Sequence, residues 1–192
     1  MRKASRPNYY TSIVVLNIPS RALVLLVGAS GSGKSTFARK HFKSTEIVSS
    51  DALRAAVSDD EADQSASADA FEVLRLITGK RLRRGRLTVI DATSVQRDSR
   101  RSLRALATSH GRPAIAIVLH LPLETCLARL QARTDRLVAP EVVQKQTADL
   151  AASLPGLPGE GFEHVYVLDN TEDIDSSEVF LAFSSSNPFG TV

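Results

Sequence analysis

Residues Gly28-Ala29-Ser30-Gly31-Ser32-Gly33-Lys34-Ser35 satisfy the spacing G-x-x-x-x-G-K-[ST] in full. They follow a continuous apolar run, 22–27, and precede a stretch in which Phe37, His41 and Phe42 recur at helical spacing. Each residue type there has a chemical reason. Glycines let backbone N–H groups converge on phosphate oxygens without a Cβ in the way, and a helix N-terminus behind them adds positive potential. Gly28, Ser30, Gly31, Ser32, Gly33 and Thr36 are the candidate walls of such a cradle. Lys34 can reach the β and γ phosphates, and the Ser35 hydroxyl can sit on Mg²⁺. A flexible Gly/Ser turn is the bland alternative, and the strand–loop–helix context weighs against it. The motif implies a bound nucleoside triphosphate without choosing among hydrolysis, switching and transfer.

Two features downstream narrow that choice. No N-K-x-D element for guanine is present, and Asp91, closing the apolar run 87–90, is followed by Ala92 instead of a water-activating glutamate. Transfer to an acceptor other than water is favoured. Asp51 and Arg54, three apart after the short run 46–49, would project to one side of a helix. A carboxylate at the end of a strand beside the phosphate loop can take the proton of an attacking hydroxyl. Arg54 can grip an anionic acceptor through two parallel hydrogen bonds. The local alternative stays open: Asp51 merely caps a helix and pairs with Arg54. Arg129, Arg133 and Arg136 span a helix end and the loop running to Pro140. They suit a lid that meets phosphoryl charge, or an exposed cationic helix end. His41, His110, His120 and His164 lack ligand spacing, the acidic run 59–63 suits a solvated turn, and Cys126 sits on an apolar stripe as a small hydrophobe.

These groups must be positioned by alternating elements. Strands are expected at 13–18, 22–27, 46–49, 87–90, 114–119 and 164–168. Helices are expected at 35–43, 52–57, 69–85, 98–110, 123–132, 141–154 and 172–183, with a Gly/Pro-rich loop at 155–161. Strands separated by helix-length segments imply an α/β fold with a mainly parallel sheet covered on both faces. The 192 residues suit one domain, 13–183, preceded by a basic segment 1–12 and followed by a tail 184–192. One cysteine excludes an internal disulfide and a thiolate metal cluster. No apolar run approaches the ~18 residues of a membrane span, and 13–18 is too short for a secretory signal, so a cytoplasmic protein without a membrane partner is expected. From Lys80 to Arg136 there are thirteen Lys/Arg against four acids, which favours polyanionic partners without naming one.

Several blocks in one order resemble the 5′-kinase domain of bacterial polynucleotide kinases of RNA end healing. They are GASGSGKSTFARKHF (28–42), TEIVSSDALR (45–54), VSDDEADQSAS (57–67), GRLTVIDATSVQ (85–96), RLQARTDR (129–136) and EGFEHVYVL (160–168). The resemblance spans residues 13–168 and implies a P-loop kinase fold with an arginine-bearing lid. It also implies transfer of the γ phosphate of ATP, with Mg²⁺, to the 5′-hydroxyl of an RNA or DNA end. By that likeness Asp51 is the general base, Arg54 contacts the acceptor's 3′ phosphate, and Arg133 reaches the donor phosphates with Arg129 and Arg136 in support. Asp91, Thr93, Val95 and Gln96 fall where the acceptor pocket is shaped. Ser94, Leu130 and Thr134 depart from the usual Asn, Asn and Pro, which touches acceptor preference and lid geometry. No D-x-D-G-T phosphatase or K-x-D-G ligase motif is present. The alternatives are a small-molecule kinase acting on a sugar, antibiotic or nucleoside, and a nucleotide-binding module without transfer.

Overall fold

Alternation along two strands decides the architecture, as the computed structural model, which describes residues 13–132 and 138–182, makes clear. The described elements run β1 (Val15–Pro19), β2 (Leu23–Val27), α1 (Lys34–His41), β3 (Ile47–Ser49) and α2 (Ser50–Ser58). They continue as α3 (Ser67–Arg83), β4 (Thr88–Asp91), α4 (Arg97–Ser109), β5 (Ala114–Leu119) and α5 (Leu123–Gln131). The last are α6 (Pro140–Ser153), β6 (His164–Leu168), α7 (Thr171–Ser176) and β7 (Glu178–Ala182). Every residue of β2 and β5 is buried, and consecutive side chains point to opposite faces. Val24, Leu26, Ile115, Ile117 and Leu119 join one core with Phe37 and Ala38 of α1 and Cys126 of α5. Leu23, Leu25, Val27, Ala116 and Val118 join a second core with Leu74 and Leu82 of α3 and Leu103 and Ala107 of α4. Each large apolar side chain so buried contributes about 1.5–3 kcal/mol.

The five-stranded sheet has the order β3-β4-β2-β5-β6, all parallel, with Leu23 level with both Thr88 and Ala114. Parallel strands joined through helices leave one open end of the sheet where the strands' C-termini gather. The phosphate loop, Asp51, Asp91 and the turn after β4 all lie at that end, because each directly follows or closes its strand.

Two expectations are corrected near the C-terminus. A helix over 172–183 is replaced by the short α7 and by β7, which pairs in parallel with β1 as a separate two-stranded ribbon. Asn170 caps α7 by accepting from the Asp173 N–H at 2.7 Å, and extended Ser177 (φ −64°, ψ 145°) then turns the chain. The β-branched and aromatic Val179 and Phe180 suit the strand that β1 offers, and the first ladder bond runs from Glu178 N–H to Val14 O at 2.9 Å. The stretch 155–161, expected as a loop, is mostly a 3₁₀ helix, Leu154–Glu160, because Leu157 is fully buried and Glu160 is drawn inward by a charge.

That charge is Arg100, which has no exposed surface. Its Nε and Nη2 donate to Glu160 Oε2 and Oε1 at 2.8 and 2.5 Å. Its Nη1 donates to the carbonyls of Ser94 and Val95 at 3.0 and 2.6 Å. One guanidinium therefore ties α4, the 3₁₀ helix and the turn after β4 together. Ser94 in that turn takes φ +48°, a left-handed conformation that asparagine tolerates better than serine. Removing one partner strands a buried charge. Arg100→Ala is expected to cost about 3–5 kcal/mol in urea unfolding, and Arg100→Met with Glu160→Leu to recover part of that loss, the remainder being the two stranded carbonyls.

Candidate functional site

The loop after β2 is shaped by close backbone approaches. Gly31 has φ +82°, and a Cβ there would collide with the Cys126 carbonyl oxygen of α5. A Cβ on Gly28 would lie 2.6 Å from Ser32 Oγ and 2.8 Å from Leu119 O. The Gly28 N–H donates to Thr93 O at 2.9 Å, which joins the loop to the turn after β4. One peptide unit is held at both ends: Lys34 Nζ donates to Ala29 O at 2.8 Å, and Ser30 N–H donates to Gln146 Oε1 of α6 at 2.8 Å. Arg129 of α5 donates to Ser32 O and to Thr171 Oγ1, each at 3.3 Å. Burial pushes the Cys126 thiol up from its ordinary value, with Lys34 and Arg129 opposing, so it stays a neutral packing group.

A cavity of about 730 Å³ opens over this loop. Its wall includes the expected Ser30, Gly31, Gly33, Lys34, Ser35 and Thr36, together with Asp51, Arg54, Asp91, Thr93 and Arg129. Gly28 and Ser32 lie beneath the surface, where their role is to let the loop fold. Val95 packs into the second core, and Gln96 is the N-cap residue of α4, donating to Asp149 Oδ2 at 2.5 Å, so neither lines the cavity. Arg100 Nη1 holds the Val95 carbonyl from beneath, while the Gln96 side chain is directed to Asp149 of α6. Leu130 lines the cavity as an apolar side chain. Arg133, Thr134 and Arg136 lie outside the described residues.

Asp51 and Arg54 stand on α2 as the i, i+3 spacing requires, and Arg54 Nη2 donates to Asp51 Oδ1. The helix cap is Ser49, whose Oγ accepts from Ala52 N–H at 3.4 Å, so of the local alternative the pairing with Arg54 is present and the capping by Asp51 is not. Arg54 Nε donates to Glu61 O at 2.8 Å. Burial pulls the Arg54 guanidinium down from its ordinary value, and Glu61 opposes the shift. A second space of about 420 Å³ adjoins the first and shares Ser35, Arg39, Asp51 and Asp91 with it. Asp51 therefore stands on the wall common to both.

Ser35 and Asp91 bring a hydroxyl and a carboxylate to the same wall, a donor set that fits a hard cation carried mostly by phosphates and water. Among the described residues no cluster of three or more His, Cys, Asp or Glu could hold a metal by itself. Sequence reasoning missed Gln64, Ser67, Phe71, Gln146, Ile174 and Asp175, all on the cavity wall. Gln146 meets Ser30 from 116 residues away, and no local pattern marks it.

A family model described as AAA domain matches residues 23–157, the stretch from the first residue of β2 to the 3₁₀ helix. The chain belongs to this AAA-domain family. No curated protein matches it. Among solved structures, this AAA-domain chain is similar to one in a Pnkp1/Rnl/Hen1 RNA repair complex, with TM-score 0.61 and 24% identity over 79% of this chain and 48% of that one. It is similar to a gluconokinase from Sinorhizobium meliloti 1021, with TM-score 0.50 and 18% identity over 82% and 92% of the two chains. It is similar also to shikimate kinase from Acinetobacter baumannii, with TM-score 0.51 and 17% identity over 82% and 88%. The chain thus spans about half the length of the RNA-repair chain. The fold is that of P-loop kinases, as the resemblance in the sequence implied. No described helix is long and apolar enough to cross a membrane.

Gly31→Ala is expected to force the loop off Cys126 and so to remove the rise in melting temperature that ATP gives the unsubstituted protein, as thermal unfolding with and without ATP would show.

Proposed function

We propose that the chain is an ATP-dependent polynucleotide 5′-hydroxyl kinase. The observation that carries this reading is that Asp51, paired with Arg54, shares one cavity wall with Lys34 and Ser35 of the phosphate loop. Four parts of one reaction then face one space. Backbone N–H groups of the loop and Lys34 hold the donor phosphates; Arg129, reaching the loop from α5, adds positive charge beside them. Mg²⁺, held by Ser35 and Asp91 with the donor phosphates, would neutralise part of the triphosphate charge. The acceptor oxygen attacks the γ phosphorus in line; its bond forms as the bond to the β-phosphate oxygen breaks, and ADP leaves. Asp51 takes the hydroxyl proton, an effect of roughly 10²–10⁴ in rate.

Arg54 supports the nucleic-acid acceptor. A guanidinium held at Asp51 Oδ1 and Glu61 O keeps further N–H donors of its fork for a phosphate one sugar away from the attacking hydroxyl. The adjoining 420 Å³ space supports it too, since an acceptor strand has to leave the reacting centre while a free sugar does not. The likeness to the RNA-repair chain points the same way. The gluconokinase and shikimate kinase likenesses support a second reading, a small-molecule kinase in the same cavity.

Asp51→Ala is expected to lower kcat by at least ~10² while ATP affinity stays within about twofold, because the proton transfer arises only as the acceptor attacks. An unchanged kcat removes Asp51 from the reaction. A panel of 5′-OH RNA, 5′-OH DNA, a 3′-phosphorylated nucleoside and a free nucleoside should show label from ATP on the first three ahead of the last. In the same panel Arg54→Ala should raise KM about tenfold for acceptors bearing a 3′ phosphate, the loss of one charge-assisted contact, and leave the free nucleoside unaffected. Transfer confined to sugars or other small alcohols favours the second reading.

A further inference from the structure

The end of the sheet opposite the phosphate loop carries an organised positive charge that the reaction does not use. Leu23, Thr88 and Ala114 are level across β4, β2 and β5. Two residues before each of them stands an arginine: Arg86, Arg21 and Arg112. The three leading ends of adjacent central strands therefore present a row at one register, about 5 Å from strand to strand. The side chains converge as well: a Cβ on Gly85 would lie 3.2 Å from Arg112 Nη2 and 3.6 Å from Arg21 Cδ. Gly85 has φ +65° and ends α3, whose last turn and C-cap add exposed Arg83 and Arg84.

Structural duties account for part of this cluster only. Arg81 Nη2 donates to Leu87 O at 2.7 Å, and Arg112 Nε donates to Leu82 O at 3.2 Å. Arg21, Arg83, Arg84 and Arg86 are exposed and form no ion pair with a carboxylate among the described residues. The acids at this end precede the outer strands, Glu46 before β3 and Glu163 before β6, and Glu46 is engaged by the Lys43 N–H at 2.9 Å. Burial pulls the Arg81 guanidinium down; Glu46 opposes the shift and Arg86 adds to it, which places Arg86 within electrostatic reach of its neighbour.

We propose that this arginine row is a second docking site for the phosphate backbone of the acceptor strand. The proposal rests on the polynucleotide reading above and adds to it a surface remote from the reacting centre. The track between the two is α3, which begins at the cavity with Ser67 and Phe71 and ends in the row after 17 residues, a rise of about 25 Å. At ~3.4 Å per phosphate in a stacked strand, about seven nucleotides separate the sites. A trinucleotide reaches only the first, whereas a fifteen-nucleotide strand reaches both. The row reads no sequence, since it offers only charge to phosphates.

The test uses the full chain with 5′-OH RNAs of three and fifteen nucleotides, measuring KM, kcat and equilibrium binding between 50 and 300 mM salt. The fifteen-mer is expected to have a KM at least ~10-fold below that of the trimer at low salt, with the advantage shrinking as salt rises. Arg21→Glu with Arg86→Glu should abolish the advantage while trimer kcat and KM stay within twofold; Arg21→Lys with Arg86→Lys should keep most of it. Neither side chain makes a hydrogen bond among the described residues, so the fold is expected to hold, and far-ultraviolet dichroism checks that. An advantage that survives the double glutamate variant, or its absence from the unsubstituted protein while the trimer is phosphorylated, overturns the docking site and leaves the kinase reading standing. Arginine-dependent binding of long RNA without transfer to any RNA overturns the kinase reading and leaves a nucleic-acid surface. Arginine-dependent binding of polyglutamate with no effect of RNA length overturns the proposal in favour of an acidic protein partner.

Discussion

The structure depends on how closely the backbone of residues 28–33 must approach its neighbours. Gly31 runs against the Cys126 carbonyl, Gly28 sits against Ser32 and Leu119, and the 29–30 peptide is gripped by Lys34 on one side and Gln146 on the other. A cradle for phosphate has to turn many N–H groups inward, and like charges on the ligand penalise any looseness in that arrangement. The fold answers by stacking the loop between α5, α6 and the turn after β4. Each of those neighbours then acquires a constraint of its own.

The turn after β4 shows how far such constraints propagate. Its Thr93 carbonyl receives the Gly28 N–H, so its path must be fixed. Arg100 fixes it from beneath by bonding two successive carbonyls, and Glu160 neutralises Arg100. A buried ion pair is a poor source of stability compared with an apolar core. Its use here is directional: a guanidinium fork specifies the angle between a helix, a turn and a 3₁₀ segment, which apolar contacts leave softer. Serine at the left-handed position 94 indicates that this direction is held against a small local backbone cost.

The groups on the cavity wall gain from the same economy of position. β3 is three residues long and delivers Asp51 directly to the cavity, with α2 starting at once under a Ser49 cap. Asp51 and Arg54 pair with each other on the wall of the cavity over the loop; in the function proposed above, an acceptor phosphate competes for the guanidinium as its hydroxyl meets the carboxylate. The two ends of the sheet also differ in charge: Asp51 and Asp91 stand among Lys34, Arg54 and Arg129 at the C-terminal ends of the strands, while Arg86, Arg21 and Arg112 precede the three central strands at the other end.

Features written in short spans were legible in the sequence. The phosphate loop, the continuous apolar runs of β2 and β5, the i, i+3 relation of Asp51 and Arg54 and the parallel α/β order all follow from local sterics and burial patterning. The boundaries of β5 and β6 were read to the residue. Long-range pairing was not legible. β7 formed because β1 supplied a partner strand some 160 residues earlier, and a pairing that distant leaves no local pattern. The 3₁₀ helix at 154–160 was hidden by its prolines, since the pull on Glu160 comes from Arg100 sixty residues away. Val95 and Gln96 lie close to Thr93 in sequence, yet Val95 packs into the second core and Gln96 reaches Asp149 of α6, so neither lines the cavity. Gln146 carries no motif at all. Local spacing determined which chemistry the chain can do; only the packed structure decided which side chains share the space for it, because that depends on hydrogen bonds between residues distant along the chain.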